Sequence, residues 1–149
     1  MSQDERVLET PEASEALGAA VARALQAGEA VCLWGPLGAG KTTLARGLIR
    51  ELSGETEIPS PTFTLVQTYQ GPAFAVAHFD LYRIEQGAEL EELGLDDALD
   101  QGAAVIEWPD RLGARLPEDR LDIRLQADGG GRKARLERHG RWHGRRVDG

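Results

Sequence analysis

Apolar residues recur along this chain with two different periods, and the changes of period mark out its elements. Ala13, Leu17, Ala20, Val21, Ala24 and Leu25 fall near one face of a helix over residues 12–27, with Thr10 and Pro11 placed to cap and start it and Gly28 to close it. Ala30–Trp34 is a short apolar run of strand type, and residues 41–52 return to helical spacing before Ser53 and Gly54. Residues 62–69 alternate and are rich in β-branched and aromatic side chains. Residues 74–80 form a second such run, and Gly71-Pro72 between the two marks the turn of a hairpin. The stretch 84–99 is acidic and helical in pattern, broken at Gly94. Residues 103–108 read as a buried strand running into Pro109, and 121–126 and 134–139 as two late strands joined through Asp128-Gly129-Gly130-Gly131. This order, with two hairpins, is not a strict strand–helix alternation. It predicts an α/β fold whose central sheet mixes parallel and antiparallel strands.

Between the first apolar run and the second helix stands Gly35-Pro36-Leu37-Gly38-Ala39-Gly40-Lys41-Thr42, a complete GxxxxGK[ST] phosphate-binding loop. Polyphosphate must be enclosed by backbone N–H groups. Glycine lets the chain curl tightly and leaves no Cβ between those donors and the ligand. The helix that follows aims its positive end at the anion. Lys41, expected as an exposed cation, reaches the β- and γ-phosphates, and the Thr42 hydroxyl is a hard ligand for Mg²⁺. The chain has fifteen Arg and only two Lys, Lys41 and Lys133, so a sequence that otherwise chooses Arg has Lys at this position. Strand, loop and helix in this order predict a nucleotide-binding protein, a single-domain P-loop NTPase built as a three-layer sandwich over residues 1–149.

The 149 residues suit one domain. Cys32 is the only cysteine, which excludes an intramolecular disulfide. No stretch is long and apolar enough to span a membrane, and the acidic start lacks the basic and apolar regions of a secretion signal, so a cytosolic location and no membrane partner are expected. Residues 1–110 carry six basic and nineteen acidic side chains, net −13, whereas 111–149 carry eleven basic and six acidic, net +5. That distribution argues against an autonomous nucleic-acid binder, which presents a concentrated basic face. The Arg-rich end, about residues 139–149, reads as a solvated, flexible tail.

Binding alone does not hydrolyse; a carboxylate near Mg²⁺ is also required. Asp80 and Glu107 each end an apolar run, at the sheet edge where ligands bind in open α/β folds. Either would hold Mg²⁺ directly or through water, or would simply cap the next turn. Ser60-Pro61-Thr62-Phe63-Thr64 places hydroxyls around a stiff proline, as a switch closing on a γ-phosphate requires. His78 lies in a strand, where a packed or hydrogen-bonded role outweighs a chemical one.

Taken together, residues 35–48 (GPLGAGKTTLARGL), 60–69 (SPTFTLVQTY), 78–83 (HFDLYR) and 106–111 (IEWPDR) resemble the bacterial TsaE family, also called YjeE. These are small P-loop ATPases required for making threonylcarbamoyladenosine in tRNA. The resemblance runs in order from about Leu8 to Leu136 and implies ATP and Mg²⁺ as cofactors. By position it implies that Gly38, Ala39, Gly40, Lys41, Thr42 and Thr43 bind phosphates and that Thr42 coordinates Mg²⁺. It also makes Asp80 an acid of the Walker B type, Glu107 a metal-associated carboxylate and Thr62 a switch residue, so that Lys41, Asp80 and Glu107 form the catalytic set. The adenine site falls near Thr10 and Pro11 and the late turn Gly131-Arg132. Pro36 departs from the Asp common in the family, and the Arg-rich end after Arg138 lies outside its motifs. The resemblance further implies two partner subunits, a metal-dependent threonylcarbamoyl transferase and its inactive paralogue (TsaD-like and TsaB-like), with tRNA met indirectly through them.

Two other functions share the loop. A small-molecule kinase would need an acceptor pocket and usually an Arg-bearing lid, for which no lid-sized insertion is apparent. A non-hydrolytic nucleotide sensor would use ATP only to hold a binding surface in place.

Overall fold

The apolar run ahead of the glycine loop lies at the middle of a seven-stranded sheet in the structure, a computed structural model that describes residues 4–36, 38–58, 65–84 and 93–148. Its strands are β1 (Asp4–Leu8), β2 (Ala30–Trp34), β3 (Val66–Gln70), β4 (Ala75–Asp80), β5 (Gly102–Glu107), β6 (Arg120–Asp128) and β7 (Gly131–His139), in the spatial order β1-β7-β6-β2-β5-β4-β3. The four central strands β6, β2, β5 and β4 are parallel. Antiparallel pairs β3/β4, β6/β7 and β1/β7 finish both sides. The mixed sheet expected from the sequence is therefore present, with its antiparallel parts at the two edges.

Helices α1 (Pro11–Ala24) and α2 (Lys41–Ser53) cover one face, packing Leu17, Val21, Leu44, Leu48 and Ile49 against Val31, Leu33, Val105 and Ile123. The other face is covered around β2, β5 and β4 by the short helix α3 (Leu95–Gln101) and the turns after Glu107, which contribute Leu95, Ala98, Leu99 and Leu112 to a second cluster with Cys32, Phe79 and Ile106. The two long helices touch through their backbones: a Cβ at Gly18 would fall 2.2 Å from the Leu44 carbonyl oxygen, and one at Gly47 would fall 2.3 Å from that of Glu15. No side chain fits between them. This contact sets the spacing between α1 and α2.

Several expectations are corrected. The opening residues form strand β1, which polar Asp4, Glu5 and Arg6 disguise because only its Leu8 end is buried. Helix α1 ends at Ala24 rather than residue 27, since Leu25 already takes an extended conformation (φ −71°, ψ 137°). Of the acidic helical stretch, α3 begins only after Gly94, and residues 85–92 lie outside those described. Ser60, Thr62 and Thr64 also lie outside them. Among the described residues no helix is long and apolar enough to cross a membrane.

The Arg-rich end is the largest difference: residues 140–148 are anchored to the fold through Trp142, Arg145 and Val147 rather than free. Trp142 is fully buried and Val147 nearly so. The physical cause is Glu29, wholly buried at the start of β2, whose carboxylate needs a cation in the interior. Arg145 supplies it with two parallel bonds of 2.6 and 2.8 Å while lying over the Trp142 ring. Arg138 donates to the Arg145 carbonyl and Arg6 of β1 to that of Val147, so the segment also ties down the edge strand. Removing one partner of a buried ion pair costs more than the pair contributes, because the other charge stays desolvated. Arg145→Ala is therefore expected to lower unfolding free energy by about 3 kcal/mol in denaturant melts. Arg146→Ala, at an 85% exposed side chain, is expected to change it by less than about 0.5 kcal/mol.

Candidate nucleotide site

The glycine loop sits where β2 hands the chain to α2, at the C-terminal edge of the parallel strands. Gly40 caps α2 with φ +94°, and Gly38 has φ +80°, both in the left-handed region that a side chain resists. No side chain caps this helix start. Its first N–H groups therefore remain available to an anion.

Lys41 opens α2, and it is buried rather than exposed as expected. Its ammonium donates to the Gly35 carbonyl and, at 3.2 Å, to that of Pro36, so it is folded back onto its own loop. The Trp108 ring covers it, with Nζ 3.5 Å from the ring centroid. Trp108 itself holds φ +62°, a strained conformation for a bulky residue, and its ring meets that of Tyr82 at a 49° tilt with centroids 4.9 Å apart. Burial pulls the Lys41 pKa below the usual lysine range, and the carboxylates of Glu107, Asp110 and Asp80 oppose that shift.

The two strand-end carboxylates lie side by side, since Asp80 and Glu107 are register partners across β4 and β5. Strand alternation turns His78, Asp80 and Glu107 toward the face that α2 covers, the face of Val76 and Val105. There the two acids diverge. Glu107 is nearly buried and accepts the Thr42 hydroxyl at 2.9 Å on Oε1, while Oε2 meets His78 Nε2 at 2.6 Å. Asp80 instead accepts the Tyr82 N–H at 3.1 Å, capping the turn after β4. Thr42 is thus joined to Glu107, on the strand next to β2, rather than to the acid expected to be of the Walker B type. Thr42 and Glu107 bring a hydroxyl and a carboxylate oxygen together, donors of the hardness that Mg²⁺ prefers, and Asp80 stands next to Glu107 in register on the adjacent strand. His78, given no chemical role from the sequence, meets Glu107 from behind. The signal that would have found it is the two-residue step from His78 to Asp80 once β4 is paired with β5.

A cleft beside the loop is lined by Glu9, Thr10, Pro11, Gly40, Thr43 and Arg132, among others. The N-terminal segment meets Gly131 and Arg132 there, and these two residues begin β7 rather than forming the turn before it. Thr10 caps α1 through a 3.1 Å bond from the Ala13 N–H, and Pro11 is its first residue. Arg132 donates from Nη1 to the Gly131 carbonyl, and its buried Nε has no partner among the described residues, an arrangement that costs roughly 1–3 kcal/mol.

Comparison with known proteins agrees with this architecture. Residues 8–135 match the family described as threonylcarbamoyl adenosine biosynthesis protein TsaE. A Rickettsia bellii protein named tRNA threonylcarbamoyladenosine biosynthesis protein TsaE is 38% identical over 127 residues, covering 85% of this chain and 88% of its own. One of the same name from Bacillus subtilis is 36% identical over 120 residues, covering 80% and 75%. The crystal structure of Bacillus subtilis YdiB superposes with a TM-score of 0.79 at 30% identity, covering 95% of this chain and 90% of that one. With its central parallel strands, glycine loop and matched length, the chain belongs to the TsaE family of tRNA threonylcarbamoyladenosine biosynthesis proteins and has the α/β P-loop NTPase fold.

Proposed function

We propose that this protein binds ATP with Mg²⁺ at the glycine loop and hydrolyses it to support threonylcarbamoyl modification of adenosine in tRNA. In this reading it acts with a threonylcarbamoyl transferase subunit and that subunit's inactive paralogue, and meets tRNA through them in the cytoplasm. The observation that carries the reading is the Thr42–Glu107 bond, which places a hydroxyl and an ionisable carboxylate beneath an uncapped helix start.

The amides from Gly38 to Thr43 would hold the phosphates. Lys41 would exchange the Gly35 and Pro36 carbonyls for phosphate oxygens, leaving its place under Trp108. Thr42, Glu107 and Asp80 would hold Mg²⁺, which when bound neutralises the polyphosphate and polarises the γ-phosphoryl group. Thr10, Pro11 and Arg132 would flank the base and ribose, with the unpaired Arg132 Nε finding its acceptor there. Thr62 would sense the γ-phosphate, altering the surface offered to the transferase.

Steady-state turnover with the partner subunits and tRNA present is the first test. Glu107→Gln is expected to lower hydrolysis at least tenfold, with a smaller loss in affinity for metal-free ATP. Asp80→Asn should act in the same direction. Normal turnover by both variants would remove the carboxylates from the reaction, and phosphate appearing on a metabolite instead of free in solution would indicate a kinase.

Direct binding tests the base side of the site. Arg132→Ala is expected to weaken ATP by about tenfold, the worth of one charged hydrogen bond, and to leave inorganic triphosphate affinity within about twofold. Equal losses for both ligands in calorimetry would place Arg132 on the phosphates rather than on the nucleoside.

A further inference from the structure

The His78 side chain is fully buried, and one ring nitrogen has a partner while the other has none. Nε2 lies 2.6 Å from Glu107 Oε2, whereas Nδ1 is enclosed with no hydrogen-bond partner among the described residues. For a neutral ring these two facts select one tautomer. A proton on Nδ1 would be a buried donor without an acceptor and would leave two unprotonated acceptors, Nε2 and a carboxylate oxygen, facing one another at 2.6 Å. A proton on Nε2 satisfies the carboxylate, and leaves at Nδ1 only a lone pair, the cheaper group to strand.

Glu107 is then held at both oxygens, by His78 on Oε2 and by Thr42 on Oε1. A carboxylate with one fixed bond rotates about its terminal torsion, which has broad, shallow wells; one fixed at both oxygens does not. We propose that His78 is a positioning residue, an Nε2–H donor that locks the Glu107 carboxylate plane so that Thr42 and Glu107 present their oxygens to one divalent cation. Because His78 and Glu107 sit on adjacent parallel strands, this alignment is a property of the sheet and exists before any nucleotide arrives. The consequence for metal rests on the function proposed above, whereas the tautomer does not.

The test has two parts. Ring-resolved ¹⁵N NMR of the nucleotide-free protein is expected to show His78 protonated on Nε2 and bare on Nδ1; the opposite tautomer overturns the proposal. Mn²⁺ affinity in the presence of a non-hydrolysable ATP analogue, read by electron paramagnetic resonance, is expected to fall about tenfold or more in His78→Ala. It should recover in His78→Gln, whose amide nitrogen restores a donor at similar reach, while both variants bind the analogue alone as wild type does. A purely packing role would lower the melting temperature of both variants and leave Mn²⁺ affinity unchanged, and that result also overturns the proposal. Should the wild-type protein take up no Mn²⁺ with the analogue, the nucleotide function fails instead, and the ring nitrogens decide the role of His78.

Discussion

The hydrogen bond between the Thr42 hydroxyl and Glu107 ties the first turn of α2 to the end of β5, and the geometry of the whole site follows from how that bond is made possible. It requires β5 to lie directly beside β2, so that a strand-end carboxylate comes up beneath the helix that β2 feeds. It is accompanied by a bare backbone contact at Gly18 and Gly47 that holds α2 close against α1. It also requires the loop to turn sharply between strand and helix, through glycines in conformations that a side chain resists. Helix packing, strand order and loop conformation therefore converge on a single distance.

Buried charge is concentrated at opposite ends of the central strand, and the two ends use it differently. At the start of β2, Glu29 is matched by Arg145 in a bidentate pair, with Arg141 nearby, an arrangement that fixes the C-terminal segment against the fold. Beyond the end of β2, Lys41 is held, among the described residues, by loop carbonyls and an aromatic ring, and the carboxylates of Glu107, Asp110 and Asp80 lie within electrostatic range. The first set is closed. The second keeps a cation and an oxygen cluster apart, a separation that an anionic ligand and a divalent ion together would bridge.

Much of this was legible in the sequence because the decisive residues sit at element ends marked by local chemistry. The glycines announce the loop, and apolar runs that stop at Asp80 and Glu107 announce two acids at one sheet edge. The partner of Thr42 was not legible, since pattern alone does not say whether the strand ending in Asp80 or the one ending in Glu107 lies beside β2. Strand β1 was hidden by its polar edge-strand composition. The packed C-terminal segment was hidden because Arg141 and Arg145 look solvated until the buried carboxylate of Glu29, more than a hundred residues earlier, is placed beneath them. In each case the missing information was a long-range pairing rather than a local preference.

Isothermal calorimetry of the wild-type protein with ATP, once with Mg²⁺ and once with a chelator, tests the central claim most directly. The account predicts saturable one-site binding that tightens by about tenfold or more when Mg²⁺ is present, as expected when a prearranged hydroxyl and carboxylate share the ion. Saturable binding of equal strength in both conditions would contradict the role given to Thr42 and Glu107, and no binding in either would contradict the nucleotide site itself.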